Sequence, residues 1–492
     1  MLNRSTQMNA WRILVAALLL VMVVLVAGCV AAPQPATPAE QPAAVQEEAV
    51  AEEPAVEEAV EEPAAEEAME EPAAEMAEGD NPFAGGCWEF PEEDVTIEIW
   101  WHEYGPFTEY VYELIDRYEE MHPNVNIEPV VANQADLNQK LTVALASGTG
   151  PDILDQDISF YSVYYEKGIL EPLKLEVFCT NSQEDIEAQY IGNVLEGVTF
   201  DETIYGLPFQ TNSMSFVLSM DAFEEVGLDP VADAPKTWDD LKRVGAMLKK
   251  TENGATVRKG FDFAYMSPRW VFLAFQPMVE QFGGTLLNED QTECRLNAEP
   301  TVKALTLWKE VTEVTGDPSL SLATPSQMNQ DLYDGRVAIW MTGPWATSQL
   351  LASPLGNRWV ITNFPQLELE DPHTLMYGFT WGVNKNKPEI NKLVAWDFIR
   401  FTLQSPEEWL QKTSFIQPRV GLLQTEYAQS FPFIDVHLRD VETASWFLRS
   451  VHTNEIVQII GRAVERVVFE GIDPQTSLDQ AQEECEKVLA EN

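Results

Sequence analysis

The sequence from about residue 87 to its end predicts an α/β fold organised as two domains. Segments with the alternating pattern of β-strands are followed repeatedly by segments with the spacing of amphipathic helices. That succession is typical of sheets whose two faces are covered by helices. A body of about 400 residues also exceeds what one ordinary hydrophobic core organises, which indicates two domains.

The first elements of this body follow a strand–helix order. The apolar residues of Val95–Trp101 alternate, which predicts a strand, and those of Thr108–Met121 recur at helical spacing up to Pro123. The next predicted elements are a strand at Val125–Val131, a helix at Gln134–Ala146, a strand at Pro151–Leu154 and a helix at Phe160–Lys167. We therefore expect a parallel sheet.

The same alternation continues to the end of the chain. Thr237 is a typical cap for a helix that starts at Trp238, whose first turn carries acidic residues that favour the helix dipole. The other predicted elements are helices at Pro300–Val314, Pro388–Leu403, Asn454–Phe469 and Ser477–Ala490 and a strand at Arg336–Thr342.

Residues 1–28 predict a signal peptide. Arg4 and Arg12 give it a positive start, and an apolar run from Ile13 to Val26 follows. The sequence VAGC at 26–29 resembles a bacterial lipobox, which implies that Cys29 carries a diacylglycerol and begins the mature chain. The alternative is an uncleaved transmembrane helix, but the run is shorter than the roughly 20 residues that cross a bilayer.

Residues 29–86 have the composition of a disordered linker. Between Glu40 and Asp80 there are 16 acidic residues and no Lys or Arg, among regularly spaced Pro and Ala. Such a segment has too little apolar surface to offset its ordering entropy, and self-repulsion keeps it extended. We expect a spacer between the membrane and the folded body.

The chain is strongly acidic, with a formal net charge of −50 at pH 7. This charge argues against nucleic acid and anionic lipid surfaces as partners. It does not identify a ligand, because charge spread over a surface is not a binding site.

Four cysteines follow Cys29, at positions 87, 179, 294 and 485. They are widely separated and include no CxxC pair, so a zinc or redox motif is not predicted. An even number in an exported protein suggests two disulfides, with three possible connectivities, and four free buried thiols are the alternative.

No catalytic residue, metal site or cofactor is predicted. The five histidines show no HxH or HExxH spacing, and the sequence has neither G-x-S-x-G nor a P-loop. A glycosidase needs two carboxyl groups that flank one bond, and no such pair can be singled out in so acidic a chain.

Several phrases, in their order and spacing from about Val95 to Asn492, resemble type I extracellular solute-binding proteins of ABC importers, in particular the maltose-type, carbohydrate-binding branch. The phrases are HPNVNIEPV (122–130), LASGTGPDIL (145–154), YYEKGILEPL (164–173), YGLP (205–208), DAFEEVGLDP (221–230), PKTWDDL (235–241), LYDGRVAIWMTGPW (332–345), GFTWGVNKN (378–386) and AWDFIRF (395–401).

The resemblance implies a periplasmic-binding-protein-like fold, in which two α/β lobes are joined by hinge crossovers around a ligand cleft. By analogy, lobe 1 holds about 87–207 and 378–425, and lobe 2 holds about 208–377 and 426–492. That partition makes pairing within each lobe the preferred disulfide connectivity, Cys87 with Cys179 and Cys294 with Cys485, because a bridge across the cleft would hinder closure.

Sugar recognition calls for aromatic rings that stack on C–H faces and for planar polar groups that satisfy hydroxyls, which otherwise cost about 1–3 kcal/mol each when desolvated. In open α/β sheets, ligands bind beyond the carboxyl ends of strands. The resemblance implies a stacking tryptophan at Trp345, a sugar-facing aromatic residue at Trp270, and polar contacts at His102, Glu103, Gln210 and Asn212. By their positions at strand ends or after the Gly378 crossover, Trp101, Trp340, Trp381 and Asp155 are further candidates. The alternatives are core packing for the tryptophans, hinge-strand hydrogen bonding for Gln210 and Asn212, and a helix cap or turn for Asp155.

Two positions depart from the maltose-type pattern. Gln156 stands where the pattern has a tryptophan, and Ser450–Thr453 replace a segment in which some relatives present another aromatic residue. Both departures argue against a platform for several stacked sugar rings, and a smaller sugar or another polyol fits better.

The sequence therefore predicts a monomeric, extracytoplasmic lipoprotein that delivers a mono- or oligosaccharide to the permease subunits of an ABC importer by cleft closure. A polyamine or another cationic solute is the alternative ligand, since carboxylates and an aromatic box suit cations. A cleft with three or more carboxylates would favour it. An envelope enzyme acting on glycans is a more remote alternative.

Overall fold

The structure is a computed structural model that describes residues 82–263, 265, 267–318 and 330–490. The predicted signal peptide, Cys29 and the linker up to residue 81 lie outside the described residues. Everything described belongs to one compact unit, Glu75–Asn492. Among the helices of these ranges, none is both long and apolar enough to cross a membrane.

In chain order the strands are β1 Val95–His102, β2 Val125–Ala132, β3 Ile153–Asp157, β4 Thr199–Phe200, β5 Thr203–Ile204, β6 Gly206–Ser213, β7 Ser215–Ser219, β8 Lys250–Glu252, β9 Ala255–Asp262, β10 Val337–Thr342, β11 Trp359–Asn363, β12 Thr374–Val383 and β13 Ala444–Trp446.

The helices are α1 Gly105–Met121, α2 Gln134–Ala146, α3 Tyr161–Glu166, α4 Glu184–Glu187, α5 Met220–Glu225, α6 Trp238–Leu248, α7 Pro268–Gln281, α8 Glu299–Thr315, α9 Thr347–Ala352, α10 Glu389–Thr402, α11 Pro406–Thr413, α12 Glu426–Ser430, α13 Ile434–Thr443, α14 Thr453–Phe469 and α15 Pro474–Ala490. Short 3-10 turns lie at Ile158–Phe160, Leu175–Phe178, Val194–Val198, Pro344–Ala346 and Leu422–Gln424.

Two sheets organise the body, and both are mixed rather than parallel. The first has the strand order β13-β12-β3-β1-β2, with β6 paired to β12, and the second has the order β11-β7-β10-β9-β8. Strands β1, β2 and β3 pair in parallel, but β12 is antiparallel to both β3 and β6. The expectation of a parallel sheet is therefore wrong for the strands that connect the two halves, because those strands return through the sheet in the opposite direction.

Each sheet contributes to its own hydrophobic core. The buried residues of the first core come from 83–209 and 376–446, and those of the second core come from 214–375, Tyr377 and 447–485. The chain thus changes core three times, near 213, along β12 and after Trp446. The last change lies about twenty residues beyond the expected boundary at 425, because α13 packs against the first core with Ile434 and Leu438.

One disulfide closes each core. Cys87 is bonded to Cys179, with their Cα atoms 5.4 Å apart, and Cys294 is bonded to Cys485, with their Cα atoms 6.2 Å apart. This is the pairing within lobes that the resemblance favours. The two bridges close chain segments of 92 and 191 residues, and both restrict the unfolded chain strongly.

Candidate ligand site between the two lobes

The candidate site lies where β3, β6 and β12 run side by side. In the register of these strands, Phe379 of β12 is opposite both Asp157 of β3 and Gln210 of β6. Tyr377 is opposite Asn212, and Trp381 is opposite Asp155. Residues directly opposite or two apart in a sheet share a face, so this pairing gathers polar and aromatic side chains on one face.

Three buried polar side chains of this face have atoms without a hydrogen-bond partner. They are Oδ1 of Asp155, Oε1 of Gln210 and Nδ2 of Asn212, and all three residues are almost completely buried. Gln210 Nε2 donates to Asn212 Oδ1 at 3.0 Å, which fixes the orientation of both amides. Because buried polar atoms are normally paired, two acceptors and one donor left over on one face indicate a place for a polar ligand.

His102 and Asp155 form a buried pair at the carboxyl end of β1. The backbone N–H of His102 donates to Asp155 Oδ2 at 3.0 Å, and its ring Nδ1 also contacts that oxygen. The His102 ring lies 4.4 Å from the ring of Phe379 and 5.1 Å from that of Phe107, between centroids. These contacts hold the carboxylate in place and leave its second oxygen for a ligand.

Aromatic rings from the second lobe face this polar group. Trp345 lies in the 3-10 turn after β10, and its ring centroid is 6.1 Å from that of Trp270 and 5.9 Å from that of Tyr377. Trp345 and Phe379 are half-buried and pack against both hydrophobic cores. Burial raises the pKa of Tyr377 well above its ordinary value, so its phenol stays neutral.

Two polar contacts connect the lobes directly beside these rings. Arg269, at the start of α7, forms an ion pair with Asp157 at the end of β3. The hydroxyl of Tyr104, just after β1, donates to the backbone oxygen of Trp345 at 2.8 Å. Burial raises the pKa of Tyr104 above its ordinary value, which keeps it a donor at neutral pH. The lobes are therefore in contact across the site.

Seven of the ten predicted site residues occupy this region, among them Trp345 and Trp270, whereas the other three, all tryptophans, are packed inside the two cores. Trp101 and Trp381 are 0% exposed inside the first core, and Trp340 is 3% exposed inside the second. Trp381 nevertheless lies opposite Asp155 in the sheet, and its Nε1 has no hydrogen-bond partner, so the assignment of these tryptophans to the ligand surface stays a prediction. Trp101 continues the inward face of β1, and Trp340 lies on a strand whose residues are all buried.

The five predicted polar residues all lie at or beside the candidate site. Asp155, Gln210 and Asn212 share the site face, His102 supports Asp155, and Glu103 is exposed at the edge, next to Tyr104. The sequence predicts the third strand at Pro151–Leu154 with Asp155 at its end, whereas β3 spans Ile153–Asp157 and includes Asp155.

Sequence reasoning missed four residues of the site: Tyr104, Asp157, Arg269 and Tyr377. Asp157 is two residues after Asp155 and therefore shares its face of β3, which the alternation of a strand would have revealed. Arg269 directly precedes Trp270, but only the three-dimensional contact with Asp157 shows its position.

The described residues hold no group of three or more His, Cys, Asp or Glu side chains that could bind a metal ion. What the site offers is a carboxylate oxygen, an amide oxygen and an amide N–H beside exposed edges of indole and phenyl rings. This combination can accept hydrogen bonds from hydroxyls, donate one to a hydroxyl or ether oxygen, and cover a C–H face.

Comparison with solved structures supports the two-lobed fold. A solute-binding protein of an ABC transporter from Thermotoga lettingae, bound with α-D-tagatose, superposes with a TM-score of 0.69 at 22% identity, covering 80% of this chain and 99% of that chain. A solute-binding protein from Agrobacterium radiobacter, in complex with ribitol, gives a TM-score of 0.68 at 21% identity, covering 81% and 100%.

Sequence comparison leads to the same class. A maltotriose-binding protein from Pyrococcus abyssi is 22% identical over 312 residues, which cover 62% of this chain and 62% of that protein. Residues 104–408 match the family described as bacterial extracellular solute-binding protein, and this match covers more than half of the chain. With two lobes around a site of unpaired polar groups and indoles, the chain belongs to the bacterial extracellular solute-binding protein family.

Proposed function

We propose that this protein captures a small carbohydrate or polyol between its two lobes and delivers it to an ABC importer. Ligand shifts an equilibrium between open and closed lobes, because only the closed form encloses it between Trp345 and the polar face of Asp155, Gln210 and Asn212. The permease would then recognise the closed form. In this proposal the protein binds the ligand and breaks none of its covalent bonds.

The observation that carries the proposal is the unpaired set of Asp155 Oδ1, Gln210 Oε1 and Asn212 Nδ2 next to an indole that packs against both cores. A vicinal diol supplies two donors to the two free oxygens and an acceptor to the amide N–H. Relatives with known ligands support this class, since the compared proteins bind tagatose, ribitol or maltotriose.

A cationic solute is the weaker alternative. Asp155 and Asp157, the two carboxylates on the site face, both have a basic partner, His102 and Arg269 respectively. A dication would have to displace these partners or bind a single free oxygen. Among the described residues, the site does not contain the three or more free carboxylates that would favour a polyamine. The same pairing argues against glycoside hydrolysis, which needs one protonated and one free carboxyl group.

We also propose that Cys29 is lipidated and holds the body outside the cell, on the membrane, through the acidic linker. The VAGC sequence at 26–29 supports this. Metabolic labelling with a fatty-acid probe should mark the wild-type chain and not Cys29→Ser, and equal labelling of both would contradict it.

A thermal-shift screen of the chain purified without residues 1–29 tests the ligand class. The panel contains tagatose, ribitol, mannitol, maltose, lactose, putrescine and spermidine. A ligand at 100 times its Kd stabilises the native state by about 2.7 kcal/mol, which raises Tm by a few degrees. We expect shifts from a sugar or polyol. Shifts from the polyamines alone would contradict the proposal.

A further inference from the structure

The ion pair between Arg269 and Asp157 stands at one end of the candidate site. Asp157 is opposite Phe379 in the sheet, and its Oδ1 accepts from the backbone N–H and hydroxyl of Ser159 at 2.9 and 2.7 Å. Its other oxygen contacts Arg269, so the carboxylate is almost completely buried and fully paired. The pair therefore connects the end of β3 in lobe 1 to the start of α7 in lobe 2.

The guanidinium of Arg269 is also held by aromatic rings. Its Cζ lies 5.3 Å from the ring centroid of Tyr377 and 4.5 Å from that of Phe447. Tyr377 also contacts Trp345 of the candidate site, whereas Phe447 directly follows β13. Arg269 thus contacts both Tyr377 and Phe447, and these cation–π contacts stabilise it in addition to its ion pair with Asp157.

A groove between the lobes lies on the far side. It has a volume of about 650 Å³ and is lined in part by Asn193, Gln276, Trp446 and Phe447. A second groove of about 1050 Å³ shares Gln291 and Arg449 with it. Phe447 contacts Arg269 and also lines the nearer groove, so one aromatic side chain connects the ion pair to this groove.

We propose that the Arg269–Asp157 pair determines the length of the ligand, restricting the site to one sugar ring or a short polyol. This inference rests on the proposed function and deepens it. A short ligand fits between Trp345 and the polar face while the pair stays closed. A chain of two or more rings has to break the pair in order to extend into the groove.

The pair is well suited to this role because it is costly to open. Its Asp157 partner has 4% of its side chain exposed, so separating the charges in the closed form would leave a buried carboxylate without its cation. The Arg269 side chain, 31% exposed, is the component that can move toward the groove. Arg269→Met lowers the stability of the closed form, because Asp157 loses its cation, but Ser159 still holds Asp157 in place and a longer ligand then has no ion pair to break.

The test compares Arg269→Met with wild type by isothermal titration calorimetry. The probes are ribitol and mannitol, and three series of increasing length: glucose, maltose and maltotriose; galactose and lactose; mannose and mannobiose. We expect wild type to bind one of the single-ring or polyol compounds at least tenfold more tightly than any longer compound. In Arg269→Met this preference should fall to within about threefold.

Two further variants separate a length restriction from a simple closing contact. Arg269→Lys keeps the charge beside Asp157 and should retain the wild-type preference. Arg439→Gln removes an exposed arginine from α13, whose ion pair with Asp435 lies on the surface, and should match wild type. If Arg269→Met weakens short and long ligands equally, the pair only assists closure and the inference is overturned.

Tighter binding of a two- or three-ring sugar by wild type would also overturn the inference while leaving the proposed function intact. Absence of binding by wild type to every sugar and polyol of the panel would instead overturn the proposed function, and the inference with it.

Discussion

Replacement of Asp155 by asparagine should weaken ligand binding without disturbing the fold elsewhere. The carboxylate is completely buried, and its Oδ2 is occupied by His102. Its Oδ1 is the free acceptor of the site. Asparagine has nearly the same shape and retains one oxygen for the His102 backbone N–H, but it lacks the negative charge.

The size of the effect follows from the kind of hydrogen bond that is lost. A bond to a charged group contributes about 1.5–3 kcal/mol. Loss of such a bond to a ligand hydroxyl corresponds to an increase in Kd of about 10- to 150-fold. Isothermal titration calorimetry with the sugar or polyol that gives the largest thermal shift measures this change directly.

Asp152, directly before β3, provides a matched control. It is also a buried carboxylate, and it accepts from the Glu98 backbone N–H at 2.9 Å and from Asn391 Nδ2 at 3.0 Å, with Lys387 at 3.2 Å. Asp152→Asn should reduce the free energy of unfolding but leave Kd unchanged. If Asp155→Asn binds the ligand within twofold of wild type, Oδ1 does not face the ligand and our reading of the unpaired atoms is wrong.

Three other predictions concern Trp345, one disulfide and a buried histidine. Trp345→Ala should raise Kd at least tenfold by calorimetry, since it removes an aromatic contact and apolar burial of about 1 kcal/mol or more; Trp88→Ala, which removes a half-buried indole next to Phe90, should not. The double variant Cys294→Ser/Cys485→Ser should have a free energy of unfolding about 5 kcal/mol lower than wild type in urea titrations, because the disulfide closes a long loop. Burial lowers the pKa of His437 to about 3, below the unfolded value near 6.5, so its contribution to stability is present above pH 6.5 and is lost as the pH falls. Between pH 7 and 4.5, the free energy of unfolding of wild type should fall by about 2–3 kcal/mol more than that of His437→Gln in urea titrations. Equal losses would contradict this.

The regular elements of the fold were predictable because local patterns determine them. The helix at Gln134–Ala146 has the predicted bounds, and the helix after Thr237 begins at Trp238, with the Thr237 side chain accepting from the Asp240 N–H. The direction of the connecting strands was not predictable in this way. Whether β12 runs antiparallel to β3 depends on contacts between segments more than 200 residues apart, which no local pattern contains.

At the candidate site, strand topology brings together the polar residues named from the sequence, but it does not distinguish among the tryptophans. Asp155, Gln210 and Asn212 follow or lie on strands that end at the site, so their positions follow from topology. Trp101 and Trp381 have the same residue type as Trp345 but point into the first core. The residue type alone does not separate these cases, because an indole serves equally well as core packing and as a stacking surface.

A crystal structure of the chain with the panel compound that gives the largest thermal shift would show where the ligand binds. We predict a single ring or short polyol between the lobes, with its C–H face on Trp345 and with hydroxyls within about 3 Å of Asp155 Oδ1 and Gln210 Oε1. Ligand density in the groove beside Trp446, or on a surface away from the contact between the two lobes, would contradict the proposed binding site.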